Sequence, residues 1–353
     1  IDDGLLFEKK EGKSIGGRKP ILLAINPEGA YTIGVFLSIH QINVVVVNMK
    51  AEILASLTKP IETSEISPEN ISEEIIQAIQ KCIWESGLSK NQISGVGISL
   101  PGLVDSETGV IRFLPNYQWR EVNLRDLIYQ KLEIPTYVEN SANTLTIAEQ
   151  WFGNGKGISN FITVNLEHGI GAGIVINGQI FRGDRGIAGE FGHVIINEDG
   201  PTCRCGQKGC LEAYSGNYAI IRDAEMAAKE KKWSPNSNAK LTIEEIVAKA
   251  NAGEKCLQDI FEKAGHMLGV GLINLIKIFN PACIIISGKG VNAGDLVLKP
   301  MLSVIEQYQL KQIDSHTRFI IQKWDPYDNA RGAGALVLQE VYKSPTNRIV
   351  PII

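Results

Sequence analysis

The sequence predicts two α/β halves, on three observations. Short β-branched runs alternate with longer amphipathic stretches along almost the whole chain. The alternation plays through twice, each half offering a strand pair and a glycine turn, a weak internal echo. The length of 353 residues, with 44% hydrophobic and 21% charged content, suits two domains with real cores.

The first twenty residues differ from the rest. Residues 1–7 read as an apolar, turn-like start, and 8–20 are rich in charge and glycine, as a β-ribbon tip and linker would be. Tyr31 to Leu37 and Ile42 to Asn48 are β-branched runs that predict neighbouring strands. Ser67-Pro68 opens a helix running to about Glu85, with serine as the cap and proline at the first position. Gly95 to Leu100 predicts a buried strand ending at Pro101-Gly102. Pro135 to Glu139 predicts another, followed at once by a helix from Ala142 to Phe152.

In the second half, Asn160 to Leu166 and Ala172 to Asn177 are strands around the turn His168-Gly169-Ile170-Gly171-Ala172-Gly173. Thr242-Ile243-Glu244-Glu245 is a capping box for a helix to about Asn251. Leu257 to Phe279 is a long helix, Ala282 to Ser287 a strand ending in Gly288-Lys289-Gly290, Arg318 to Gln322 a strand, and Asn329 to Tyr342 the last helix. The domains expected are a DNA-binding remnant at 1–20, a first lobe at 21–141 joined by the helix 328–343, a second lobe at 142–327 and a tail at 344–353.

A net charge of -4 gives no global basic field, so the bulk of the chain does not advertise nucleic acid. No apolar run reaches eighteen residues and no signal-peptide pattern occurs, which predicts a cytoplasmic protein with no membrane partner. The chain begins with Ile1 rather than Met and so reads as a fragment, a processed chain, or one whose start is not shown. Six cysteines, three of them clustered, suit a reducing compartment; Cys82, Cys256 and Cys283 sit in apolar surroundings and read as core thiols.

That cluster is the sharpest local feature. His193 is followed after nine residues by Cys203-Arg204-Cys205, and after four more by Cys210. One imidazole with three thiolates is a closed tetrahedral set for a structural zinc ion, one per chain, with no coordination place left for a substrate. Gly200, Pro201, Gly206 and Gly209 let the intervening backbone turn back on itself.

The run Gly189-Glu190-Phe191-Gly192-His193 with Cys203-Arg204-Cys205-Gly206-Gln207-Lys208-Gly209-Cys210-Leu211-Glu212 resembles the signature of the ROK family of sugar-responsive repressors and sugar kinases. Pro101 to Asp105, Asn116 to Trp119, Glu139-Asn140, Gly169 to Gly173, Asn177-Gly178 and Gly332-Ala333-Gly334-Ala335 agree, so the likeness runs from about Gly16 to Tyr342. The resemblance implies a two-lobed actin-like, hexokinase-like (ribonuclease H-like) fold, with sugar bound between the lobes and preceded here by a remnant of a winged helix-turn-helix. It implies sugar contacts from Asn140, Glu190, His193 and Glu212, with Asn116 as a further candidate. His193 would use one ring nitrogen for zinc and the other for sugar.

Phosphoryl transfer needs donors around the nucleotide phosphates and a carboxylate to deprotonate the sugar hydroxyl. Family kinases end the first strand in Asp-Ile-Gly-Gly-Thr; here Gly34-Val35-Phe36-Leu37-Ser38-Ile39-His40 puts Phe36 at the Asp position and no glycine pair after it. Where family kinases follow Glu-Asn with the catalytic Asp, Ser141 follows Glu139-Asn140, and a serine hydroxyl is far too weakly acidic to act as that base. His168 also replaces the usual Thr of the second phosphate turn. The expectation is therefore a repressor and not an enzyme. An ATP-dependent sugar kinase, disfavoured by Phe36 and Ser141, and a repressor controlled by a protein partner are the alternatives.

Family repressors carry a winged helix-turn-helix whose wing leads into Gly-Gly-Arg-Arg/Lys-Pro, and Asp3 to Pro20 resembles that wing and linker. Lys9, Lys10, Lys13, Arg18 and Lys19 are then candidate DNA contacts. The expected partners are operator DNA, a monosaccharide effector, and further copies of the chain in a homodimer or homotetramer.

Overall fold

A computed structural model of the chain describes residues 4–11, 21–61, 67–235, 241–308 and 317–342. The described elements run β1 (Leu6–Glu11), β2 (Ile21–Ile25), β3 (Tyr31–Leu37), β4 (Gln41–Asn48), β5 (Ile53–Pro60), α1 (Pro68–Ser86), β6 (Ile93–Leu100), β7 (Leu103–Asp105), β8 (Val110–Leu114) and β9 (Trp119–Asn123). There follow α2 (Leu124–Leu132), β10 (Thr136–Asn140), α3 (Ser141–Trp151), β11 (Phe161–Leu166), β12 (Ile170–Ile176), β13 (Gln179–Ile180), α4 (Glu212–Ser215), α5 (Asn217–Lys229) and α6 (Ile243–Asn251). The last are α7 (Lys255–Phe279), β14 (Cys283–Ser287), α8 (Asp295–Tyr308), β15 (Arg318–Ile321) and α9 (Asp328–Val341).

The chain divides into two compact units, residues 1–156 with 183–187 and 326–353, and residues 157–182 with 188–325. The expected crossing at 141/142 moves to 156/157, because α3 packs on α9 and so stays with the first unit.

In the first unit the sheet order is β10-β6-β3-β4-β5, with β10, β6 and β3 parallel and β4 and β5 antiparallel. Both faces of β3 and β4 are buried, so these strands read as continuous apolar runs rather than alternations. Ile33, Val35, Leu37, Ile42, Val44 and Val46 pack into one core with α1 residues such as Ile75 and Ile79. Phe36, Val45 and Val47 on the other face meet Ala330 of α9. That helix approaches the sheet at paired Gly34 and Gly97, where any Cβ would run into the carbonyls of Ala330 and Ala333. Thr32 Oγ1 donates to the carbonyl of Gly334 at 3.0 Å. Ala330, Ala333 and Gly334 thus let the helix lie on the sheet, while Gly332 lets it approach α3, where a Cβ would strike the carbonyl of Thr144.

The ribbon at the start differs from the expected one. The strand begins at Leu6, inside the apolar start that the sequence predicts to be turn-like, and pairs with Ile21–Ile25, which the sequence places at the start of the first lobe. Leu6, Phe7, Ile21, Leu22, Leu23 and Ile25 are all exposed on it.

In the second unit the order is β13-β12-β11-β14-β15, with β11, β14 and β15 parallel and β12 and β13 antiparallel. Read from the other edge, this is the same order and sense as in the first unit, which gives the echo in the sequence its structural meaning. The hydrophobic core joins β11, β12 and β14 to α5, α6, α7 and α8. Cys82 and Cys283 are buried as expected, whereas Cys256 is only half-buried.

Candidate functional site: a four-ligand cluster beside two carboxylates

The second unit gathers the predicted metal ligands. His193 ends a short 3-10 turn from Phe191, and the chain then folds back through isolated bridges Ile195–Cys210 and Thr202–Lys208. Backbone bonds from Leu211 N to Val194 O (2.9 Å) and from Cys203 N to Gln207 O (2.8 Å) fix the two arms. Gly209 sits at φ 74°, and a Cβ there would collide with the carbonyl of Asn197, so the return needs glycine.

One atom from each of His193, Cys203, Cys205 and Cys210 lies within 4.8 Å of the others. Zinc bonds of about 2.3 Å to sulfur and about 2.1 Å to nitrogen at tetrahedral angles require edges of about 3.8 Å between sulfurs and about 3.6 Å between sulfur and nitrogen. Cys205 Sγ lies 3.7 Å from Cys210 Sγ, and Cys203 Sγ lies 3.6 Å from His193 Nδ1. The set fits a tetrahedral metal ion. Burial, and then the neighbouring sulfurs, push the Cys210 thiol up to about 12, and burial pushes Cys203 upward too. Thiols so crowded ionise only if a cation compensates them.

The predicted sugar contacts of this unit converge on the same cluster. Glu190 Oε2 is 3.9 Å from His193 Nε2, the ring nitrogen on the side away from the thiols. Burial, and then the charge of Glu212, push the Glu190 carboxyl up to about 7. Glu212 is buried at the start of α4. Its Oε2 accepts from Ile170 N at 3.0 Å, and its Oε1 accepts from Arg204 Nη2 at 2.8 Å and Nε at 3.2 Å.

Asn140 and Asn116 belong to the first unit. Asn140 caps α3, its Oδ1 accepting from Ala142 N and its Nδ2 donating to Gly102 O, both at 2.8 Å. Asn116 is exposed in the 3-10 turn Pro115–Tyr117. Ser141 is buried as the first residue of α3, and Phe36 is buried against Val45 and Val47. Of the candidate DNA contacts, Lys9 is exposed on β1 and Lys10 lies on the same strand, while Lys13, Arg18 and Lys19 lie outside the described residues.

Sequence reasoning passed over Arg204, Tyr218 and the amide of Ile170. A cation placed between two metal ligands was the signal available for the first. Tyr218 OH donates to Cys203 Sγ at 3.7 Å, and its ring lies 5.7 Å from that of His168.

The sequence profile described as the ROK family matches residues 32–340. The chain belongs to the ROK family. Among its ROK relatives, a xylose repressor of Caldicellulosiruptor bescii is 31% identical over 350 residues, covering 98% of this chain and 87% of that protein. A glucokinase of Halalkalibacterium halodurans is 33% identical over 276 residues, covering 76% of this chain and 84% of that protein. A ROK transcriptional regulator, a homologue of the E. coli MLC protein, superimposes with a TM-score of 0.81 at 26% identity, covering 97% of this chain and 86% of that one. The ROK glucokinase of Streptomyces griseus, solved with glucose and AMPPNP, gives 0.77 at 29% identity, covering 88% of this chain and all of that one. The fold is therefore the actin-like, hexokinase-like one. No helix among the described residues is long and apolar enough to cross a membrane.

Proposed function

We propose that this ROK chain is a cytoplasmic transcriptional repressor that responds to an unphosphorylated monosaccharide and has no kinase activity. One contrast carries the reading. The side chains suited to holding a polyol are assembled, while those needed to transfer phosphate are replaced. Glu190, His193 and Glu212 meet beside the metal cluster. Carboxylates accept from sugar hydroxyls and an imidazole N–H donates to them, which suits groups that both give and take hydrogen bonds. Buried Ser141 and Phe36 stand where family kinases place carboxylates, and the Ile170 amide of the second glycine turn is already bonded to Glu212.

The metal in this proposal is zinc, one ion per chain, held by His193, Cys203, Cys205 and Cys210. It would supply no chemistry beyond fixing the loop and, through His193 Nδ1, the tautomer and direction of the ring. Asn140 and Asn116 of the first unit would contribute further contacts, and sugar binding would shift the protein between two conformations. A ligand moves such an equilibrium only by its differential affinity for the two states. DNA would be contacted through a winged helix-turn-helix ending in residues 1–20, with the chain acting as a homodimer or homotetramer.

The relatives named as xylose and N-acetylglucosamine repressors make those two sugars the first to try. Calorimetry should give saturable binding of one monosaccharide, and a coupled assay with ATP and magnesium should show no turnover on it. The glucokinase relative favours the kinase reading; robust phosphorylation by the unmodified chain would establish that reading instead. No monosaccharide binding at millimolar concentration would leave a protein effector as the better account.

A further inference from the structure

Between two of the metal ligands stands a residue that belongs to neither the metal set nor the sugar set. Arg204 is flanked by Cys203 and Cys205, so a bound ion would fix its backbone on both sides. Its guanidinium makes two bonds to one oxygen of Glu212, at 2.8 Å from Nη2 and 3.2 Å from Nε. The central carbon of that guanidinium lies 4.5 Å from the centroid of the Tyr218 ring, over its face, and the Tyr218 hydroxyl donates to Cys203 Sγ at 3.7 Å. The other oxygen of Glu212 is taken by the amide of Ile170 at 3.0 Å. The glycine turn is pressed against this pair: a Cβ on Gly169 would strike Glu212 Oε2 and come within 2.8 Å of Arg204 Nη2.

We propose that Arg204 is the positioning residue of the effector site, holding the Glu212 carboxylate in one orientation and coupling it to the metal loop. The inference rests on the effector reading above. Three constraints act on Arg204, and each has a separate cause. The flanking ligands fix its backbone, the face of the Tyr218 ring seats its cation, and the carboxylate fixes its donor edge. The carboxylate is in turn held from both ends, by the cation and by the turn amide, and is only 4% exposed. Arg204 also offsets one of the two acidic side chains that meet here, so a neutral polyol faces one uncompensated carboxyl instead of two.

Lysine cannot replace this arrangement fully, because a point charge reproduces neither the two-bond fork nor the stack on tyrosine. The test uses the full chain with its metal, and whichever of xylose, glucose or N-acetylglucosamine the parent binds. Arg204→Ala should retain the metal, measured by elemental analysis, and bind that sugar about tenfold or more weakly, the loss expected when a buried group gives up a charged partner. Arg204→Lys should recover part of the affinity. In a Glu212→Gln background, where an amide oxygen still receives the Ile170 N–H, Arg204→Ala should change affinity by less than about threefold. That collapse separates action through Glu212 from a general loosening of the loop.

Sugar binding by metal-loaded Arg204→Ala as tight as the parent's would overturn the inference. So would an undiminished loss in the Glu212→Gln background. If Arg204→Ala released its metal, Arg204→Lys would be carried through the same cycle, and full affinity there in both backgrounds would also overturn it. A parent that binds none of the three sugars would sink the effector reading and the inference with it, an outcome distinct from the others because no variant is then compared.

Discussion

Glu212→Ala should destabilise the second unit far more than an exposed acid would, and the size follows from its bonds. The wild-type side chain is 4% exposed and receives one backbone N–H and two guanidinium N–H groups. Truncation leaves the Ile170 amide without its acceptor, at a cost of about 1–3 kcal/mol for an unsatisfied buried donor. Breaking a fully buried ion pair by removing one partner costs about 3–5 kcal/mol. Arg204 is 35% exposed, so water reclaims part of its solvation and that figure must be discounted to about 1–2 kcal/mol. The sum is about 2–5 kcal/mol, and for a unit of roughly 160 residues each kcal/mol moves Tm by about 2–4 °C. The metal-loaded protein should therefore melt about 4–20 °C lower by calorimetry, and Glu212→Gln should lose less than half as much, because it keeps an acceptor for Ile170. A Glu212→Ala variant melting within about 1 °C of the parent would show that these bonds do not bear on stability and would remove the basis for assigning Arg204 its role.

Metal analysis of purified protein should find about one zinc ion per chain, and chelation should lower the stability of the fold, although by less than the roughly 10–16 kcal/mol such sites supply in small peptides; a folded preparation without metal would refute the assignment. Glu190→Ala should weaken sugar binding by about 1–3 kcal/mol in calorimetry with the cluster still loaded, since a bound sugar hydroxyl would lose its acceptor; unchanged affinity would remove Glu190 from the site. Gly97→Ala should cost about 1–3 kcal/mol or more in urea melts, because the new Cβ meets the Ala333 carbonyl and α9 must lift from the sheet. Burial pushes the Asp105 carboxyl upward, but bonds from Thr108 N at 3.2 Å and Arg112 Nη2 at 2.7 Å outweigh it and hold the group below the usual carboxylate range. A carboxyl depressed in the folded state adds stability above its unfolded value and loses it as pH falls through the folded one. Asp105→Asn should accordingly melt below the parent at neutral pH, with the gap closing as pH drops below the ordinary carboxylate range.

Much of this protein could be read from its residues alone. The clustering of His193, Cys203, Cys205 and Cys210 was legible because a metal site would need few residue types at short spacing, and turn-forming glycines between them are local information. Tyr31–Leu37, Gln41–Asn48, the long helix Lys255–Phe279 and the strand Cys283–Ser287 were legible because each is buried over a long apolar run. Other elements escaped notice. β5 is an edge strand exposed along most of one face, and α2 is only 9 residues long with a weak apolar face. The sheet Leu103–Asn123 is a local meander whose strands, of 3 and 5 residues, are too short to show a clear apolar alternation. The ribbon partner of Leu6–Glu11 could not be read either, because register between separated strands is set by pairing and not by composition.

The sequence by itself determined which atoms could bind a metal and that the two halves echo each other; only its resemblance to the family's kinases implied that Phe36 and Ser141 replace their carboxylates. Tertiary structure alone decided what Glu212 does with its two oxygens and which cation it meets. It also decided that α3 belongs with the first unit, and that Gly34 and Gly97 serve a helix rather than a turn. The division has a physical reason. Ligand chemistry and local turns act over a few residues, whereas hydrogen bonds such as Ile170 to Glu212, and the approach of Ala333 to Gly97, join positions that only packing brings within reach.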